Sequence, residues 1–454
     1  MSRLDSVGSQ DLILAAIASA VLLYILRRLA QPTRLPLPPG PRHFPLIGHL
    51  MSLPRGSDHK VYAQIGKDVE SDIIALSVFG QTIVVLNSAK ATNDLLDKKS
   101  TIYSGRAQIT ALTDKNLLDW SEGVTFMNNN ERWRRDRRML HESLHKGVVS
   151  QYYEGQTRQI QALVGRILDK PLTFETFFEE VYFAFNSSMM HAVYGYNPSS
   201  KDDEWLKGIL NGTDHAAQAA QPTTFMVNFI PALKYVPQWV PGTGWKRVLN
   251  EWREHKEWIT AAPYLWTKEK ILSGDASPSI VQKILAQFTH EKISAEDDLH
   301  IKLLASTLIA GGSDTTSAST MMFLLAMVQY PEVATKIQAE LDSVLGYAQR
   351  LPKIDDREDM PYVKNAALEL LRWQPITPLA IPHAAMEDDT YRGYRIPKGA
   401  VVMGNTWAIT RDESIYPDPE RFDPDRFLDP SVPSAPAFGY GRRHVNLTLI
   451  RYTG

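Results

Sequence analysis

The sequence predicts a large, mainly α-helical domain carrying small antiparallel β-sheets, an α+β fold. Three observations predict it. An apolar stretch from near Ser294 to Tyr330 has a helix-start signal and stops against Pro331. Two β-rich runs, Ile73 to Val78 and Thr82 to Leu86, flank Phe79-Gly80-Gln81, a hairpin signal with Gly at the tight point. Beyond the N-terminus, no Gly/Ser-rich linker, low-complexity stretch or solenoid repeat divides the 454 residues.

Leu12 to Leu26 is apolar except for Ser19 and Tyr24, and Arg27, Arg28 and Arg34 come after it. Fifteen residues make a short span, so a crossing must borrow its flanks. The charges after the run, and the lack of a small-residue cleavage site, favour an anchor over a cleaved signal and keep the rest of the chain cytoplasmic. Residues 1–30 are therefore expected to be a membrane anchor, and residues 31–45, with Leu35-Pro36-Leu37-Pro38-Pro39-Gly40-Pro41, a semi-rigid hinge. Residues 46–454 are expected to form the domain.

Most of the body reads as helix. Ser294 is a plausible N-cap with Asp297 three residues on, and the stretch behind it is long enough to cross the domain. The segment from Phe225 to Trp245 holds Pro231, Pro237 and Pro241 among large apolar residues, so it cannot be one helix. It is either a buried irregular loop or a broken amphipathic element dipping into a bilayer interface.

Composition narrows the function. A 44% hydrophobic content can bury a large core, which excludes disorder. A formal net charge of −2 provides no field that would draw the chain to nucleic acid. The chain has no cysteine, which removes disulfides, cysteine zinc sites, thiol nucleophiles and thiolate ligands together.

Three clusters carry candidate chemistry. Ala310-Gly311-Gly312-Ser313-Asp314-Thr315-Thr316 interrupts the long apolar helix, although each Gly costs about 1 kcal/mol against Ala there. Glycine leaves room for a ligand or for a packed helix, and an adjacent acid and hydroxyl could relay protons. Glu369 and Arg372 sit three apart on one helix face, where they can pair. Pro419-Glu420-Arg421-Phe422 offers an arginine that could complete a network with Glu369.

Taken in order, these clusters resemble the cytochrome P-450 family. Gly311 to Thr316 is similar to its oxygen-binding helix signature, Glu369/Arg372 to its Glu-x-x-Arg motif, and Pro419 to Phe422 to its Pro-x-Arg-Phe motif. The resemblance runs from the apolar N-terminus to about residue 443 and implies a membrane-anchored, microsomal-type fold. It further implies haem as cofactor, an NADPH-dependent flavoprotein reductase as partner and a lipophilic small-molecule substrate. The implied location is the endoplasmic reticulum membrane, with the domain in the cytoplasm. By the same resemblance, Asp314 and Thr315 deliver protons, and Gly311 and Gly312 make room for the cofactor. Arg106, Trp133, Arg137, His383 and Arg443 bind it, the first four as donors to the haem propionates, while Glu369, Arg372 and Arg421 form a structural network.

The pattern then breaks. Phe438, Gly441 and Arg443 match the family's haem loop, but Val445 stands at the cysteine position and Leu447 at the following glycine position. No metal ligand is expected, because thiolate ligation is what drives O–O cleavage in this family. The literal chain is expected to be an inactive family member, truncated or mis-spliced at the haem loop and lacking the final helix and strands. Valine codons begin as introns usually do, so unspliced read-through would give such an ending. A non-catalytic membrane-bound pseudoenzyme and a haem protein ligated by His444 are the alternatives.

Overall fold

The computed structural model describes residues 35–444 apart from positions 55, 146, 170, 222, 289–292 and 348. The apolar run Leu12 to Leu26, Arg27, Arg28 and Arg34, and the tail from Val445 lie outside the described residues.

Two strands, β1 (Ile73–Val78) and β2 (Gln81–Leu86), form the expected hairpin, paired from Ile73↔Leu86 to Val78↔Gln81. Phe79 (φ 46°) and Gly80 (φ 87°) both take left-handed backbone, so the turn has two residues and Gln81 belongs to the strand. Both strands are buried along nearly their whole length, which requires cover on both faces and a further partner at the free edge. That partner comes from far along the chain. The sheet has the order β1-β2-β7-β4-β3, with β3 at Gly105–Arg106, β4 at His383–Ala384 and β7 at Val401–Gly404. β2 and β7 run parallel; β3–β4 and β4–β7 are antiparallel. A separate ribbon pairs β5 (Asp389–Tyr391) with β6 (Tyr394–Ile396).

Helices make up most of the rest. The longer ones before the central helix are α1 (Asp58–Asp68), α2 (Glu131–Leu144), α3 (Tyr153–Asp169), α4 (Phe174–Tyr194), α5 (Glu204–Ala220), α6 (Gly244–Ser273) and α7 (Ile280–Ala286). The central helix is α8 (Ala295–Gln329), succeeded by α9 (Pro331–Leu345) and α10 (Pro361–Trp373). The fold is thus mainly α with small sheets, as the sequence implied.

α8 starts where expected. The Ser294 hydroxyl accepts from the Asp297 amide at 3.0 Å, and Glu296, Asp297 and Asp298 place negative charge against the amino end of the dipole. Its first half runs through the main apolar cluster, where Ile301, Leu304, Ala305 and Ile309 pack with Met190, Val193 and Tyr194 of α4. α2 is capped by Asn130, which accepts from the Trp133 amide. Buried Asp136 then ties α2 to α8 through His300 Nδ1 at 2.8 Å.

The proline run departs from its expected role as a spacer. The Pro36 carbonyl accepts from the Arg395 amide, the Pro39 carbonyl from the Ala75 amide, and the Pro41 carbonyl lies 3.0 Å from His49 Nε2. Prolines lack N–H groups but keep strong carbonyl acceptors, and sheet edges have donors to spare. Residues from Pro36 onward are therefore bound to the body, ahead of the boundary expected at 46.

The segment from Phe225 to Trp245 is broken into 3₁₀ turns at Met226–Asn228 and Pro231–Tyr235 before α6 begins at Gly244. It is partly buried and partly exposed. Phe225, Val227 and Phe229 are buried, whereas Tyr235 and Trp239 are 77% and 83% exposed. Among the described residues, no helix is long and apolar enough to cross a membrane.

Candidate functional site

The glycines of α8 divide their work. A Cβ at Gly311 would meet no atom within 4 Å, while one at Gly312 would fall 2.6 Å from Met189 Cε of α4. Gly311 thus presents bare backbone to open space, and Gly312 permits helix packing. Thr315 and Thr316 donate to the carbonyls of Gly311 and Gly312, each at 2.7 Å, the four-back bond that relieves and bends a helix. Asp314 turns toward α4 and α5, where the Tyr182 and Thr213 hydroxyls face its carboxyl. Burial raises its pKa, and those two hydroxyls only partly oppose the shift. Sequence reasoning missed both hydroxyls, since only packing brings them to Asp314.

The second assembly forms where β3 meets β4. Pairing sets Arg106 opposite His383, and α2 delivers Trp133 and Arg137 to the same place. Arg443 arrives from a 3₁₀ turn at Gly441–Arg443. The Trp133 ring lies against the Arg443 guanidinium at 4.5 Å and the Arg137 guanidinium at 5.7 Å. Five residues spread over 338 positions are brought together, all of them singled out from the sequence.

The electrostatics of this cluster are one-sided. Arg106 donates to the Thr125 and Ile381 carbonyls, Arg137 to that of His444, and Arg443 to those of Ser104, Val124 and Met127. No carboxylate is bonded to any of them among the described residues. Burial, with Arg443 and Arg137 nearby, pushes the Arg106 pKa well down. Burial and Arg137 bring Arg443 down to about 9, and burial alone lowers Arg137. His383 is pushed down to about 3 by burial and by Arg106 and Arg443, against a bond to the Tyr103 carbonyl that raises it. Like charges held together in low dielectric call for an anion. A group bearing two carboxylates, as haem does, fits this donor set. The cysteine thiolate that ligates the iron in this family has no counterpart here, since none of the 454 residues is a cysteine.

The third assembly corrects the sequence reading. Glu369 and Arg372, both fully buried, pair through two bonds of 2.8 and 2.7 Å. Arg421 does not complete this network with its side chain. Its carbonyl accepts from Arg372, while its guanidinium reaches Glu332 at 3.6 Å on an exposed surface. The arginine that bonds Glu369 is Arg426, at 3.1 Å. It belongs to a second Pro-x-Arg-Phe run, Pro424 to Phe427, five residues downstream. The tandem copy was visible in the sequence, but only tertiary packing decides which copy points inward.

The comparisons agree with this geometry. The family model for Cytochrome P450 matches residues 38–444. A relative from Postia placenta, cytochrome P450 monooxygenase 98, is 38% identical over 95% of this chain and 84% of its own length. Tryptamine 4-monooxygenase of Psilocybe cyanescens is 34% identical over 95% of this chain and 86% of its own. With the match spanning the glycine-bearing helix, the cationic cluster and the buried Glu–Arg pair in one fold, the chain belongs to the cytochrome P450 family.

Proposed function

We propose that this chain is a cytochrome P450 domain that holds haem through its two carboxylates but, lacking a thiolate, does not hydroxylate a substrate as it stands. The observation that carries this reading is the cluster of Arg106, Arg137 and Arg443, bonded to no carboxylate among the described residues, in a chain without cysteine. When bound in the family's usual way, haem supplies oxygen-activating redox chemistry. Arg106, Arg137 and Arg443 would pair with its carboxylates, and His383, its Nδ1 bonded to the Tyr103 carbonyl, would face them. Trp133 would keep two of the guanidiniums in place.

On the α8 side, Asp314 has the raised pKa of a group that holds a proton closer to neutrality. Thr315, whose proton is committed to the Gly311 carbonyl, keeps its oxygen lone pairs free to accept. A lipophilic substrate suits the apolar stretch Ile376 to Ile381. The exposed Arg134 and Arg138 of α2 suit an acidic flavoprotein reductase. An endoplasmic-reticulum membrane anchor over residues 1–30 is supported by the apolar run, and exposed Tyr235 and Trp239 suit the same interface.

The test is titration of the purified full-length chain with haemin, monitored optically. Saturable binding is expected, at least tenfold weaker in Arg137→Gln, and the reduced carbon-monoxide adduct should show no thiolate-type band. A thiolate band or substrate hydroxylation would overturn the proposal, as would haemin uptake indifferent to Arg137.

A second reading rests on one observation. Arg443 is seated by bonds to three carbonyls, yet two residues later the family pattern is gone. In this reading the residues from His444 onward come from unspliced message, and the corrected protein is a complete monooxygenase. Sequencing the transcript across the Arg443 codon decides it, since a mature message encoding His444-Val445-Asn446 rules this reading out.

A further inference from the structure

α5 and α6 pack against each other, and glycine lets their backbones approach closely. A Cβ at Gly208 would fall 2.5 Å from the Trp258 ring, and one at Gly212 would overlap Ile259 Cδ1. One turn beyond Gly212, this approach brings His215 and His255 together with their Nδ1 atoms 3.3 Å apart. In the metal-free chain this separation fits an N–H···N hydrogen bond, with one imidazole donating and the other accepting. It matches the separation of two nitrogens bound to one tetrahedral zinc, about 3.3 Å for metal–nitrogen bonds of about 2.0–2.1 Å.

The rings are also held for the purpose. The His215 imidazole stacks on Trp252 at 4.5 Å and 8°, His255 stacks on Trp258 at 5.7 Å and 21°, and the two imidazoles cross at 72°. Stacking fixes each ring plane before any ion arrives, so little rotamer freedom remains to be lost. Both side chains are partly exposed, so water can complete the coordination sphere.

We propose that His215 and His255 form a two-imidazole site for a divalent late transition metal, Zn²⁺ by its tetrahedral spacing, which clamps α5 to α6. The site is separate from the cationic cluster and from the Glu369 network. Its consequence reaches α8, because Thr213, two residues before His215, faces Asp314. A clamp on α5 fixes the position of that hydroxyl.

The experiment uses the full-length chain without a polyhistidine tag. Zn²⁺ titration by calorimetry is expected to show one saturable equivalent that is at least tenfold weaker in both His215→Gln and His255→Gln. Cu²⁺ should displace Zn²⁺ and quench tryptophan emission, and Trp252→Phe should remove part of that quench. His141→Gln, which breaks the neighbouring imidazole pair His141–His145 at the end of α2, should keep the equivalent. Thermal melts without metal show whether each variant folds. Zn²⁺ binding that survives both His215 and His255 substitutions overturns the site, and so does its loss in His141→Gln or its absence in the unaltered chain.

Discussion

Glu369 accepts from both Arg372 and Arg426 at a site with no access to water. Such an arrangement is stable only while every charge stays paired. Arg372→Ala leaves the carboxylate short of its bidentate partner and is expected to cost about 3–5 kcal/mol. Arg426→Ala removes one charged bond to Glu369 together with the bonds to the Pro417 and Asp418 carbonyls, and should cost at least about 1.5–3 kcal/mol. Arg421→Ala, which touches only the exposed Glu332, should stay within about 0.5 kcal/mol. Urea unfolding of the three variants ranks them. An Arg421 variant as damaging as the Arg426 one would show that the inward arginine has been misassigned.

His383 gives the haem-free chain an acid sensitivity of predictable sign. Its pKa falls from 6.5 when unfolded to about 3 when folded, so the unfolded chain binds more protons between those values. Its contribution to stability is full above about pH 6.5 and is lost progressively as the pH drops toward 3. Unfolding free energies measured between pH 7 and 4 should fall less steeply in His383→Gln than in the unaltered chain. An unchanged slope would assign the acid sensitivity to other groups.

At the level of elements, glycines that look alike in sequence differ in sign. Gly311→Ala meets nothing and gains helix propensity, so the haem-free chain should be stabilised by up to about 1 kcal/mol. Gly208→Ala drives a methyl into the Trp258 ring, and the rigid overlap should cost about 1–3 kcal/mol despite the same propensity gain. Gly312→Ala meets only the flexible end of Met189 and should lie between the two. Calorimetric melting separates these cases. The α8 boundaries were legible in the sequence because Ser294 and Pro331 are local signals, and local signals need no partner. The turn at Phe79-Gly80 is one residue shorter than its sequence suggests. Whether Gln81 belongs to turn or strand depends on its pairing with Val78 and on its bond to the Gly399 carbonyl, far along the chain.

For the whole molecule, the cationic cluster makes stability and ligand binding pull in opposite directions. Arg106, Arg137 and Arg443 repel one another in a low-dielectric setting. Arg137→Gln relieves that repulsion, so the haem-free chain should be as stable as the unaltered protein or more so, while its affinity for haemin falls. Paired measurements of melting temperature and haemin affinity test this. A variant that loses both together would mark Arg137 as a structural residue and not an anion donor.

By itself the sequence determined the family, the α+β class, the position of the long helix, the five residues of the cationic cluster and the lack of cysteine in these 454 residues. These are matters of composition and of motifs in order, and they survive without coordinates. Tertiary structure alone decided that Arg426 and not Arg421 meets Glu369, that Asp314 faces Tyr182 and Thr213, that Pro36 onward binds the sheet edge, and that His215 meets His255. Each is a contact between residues whose spacing carries no helical or strand period. Such contacts are set by how packed elements cross, and one-dimensional patterns do not encode those crossings.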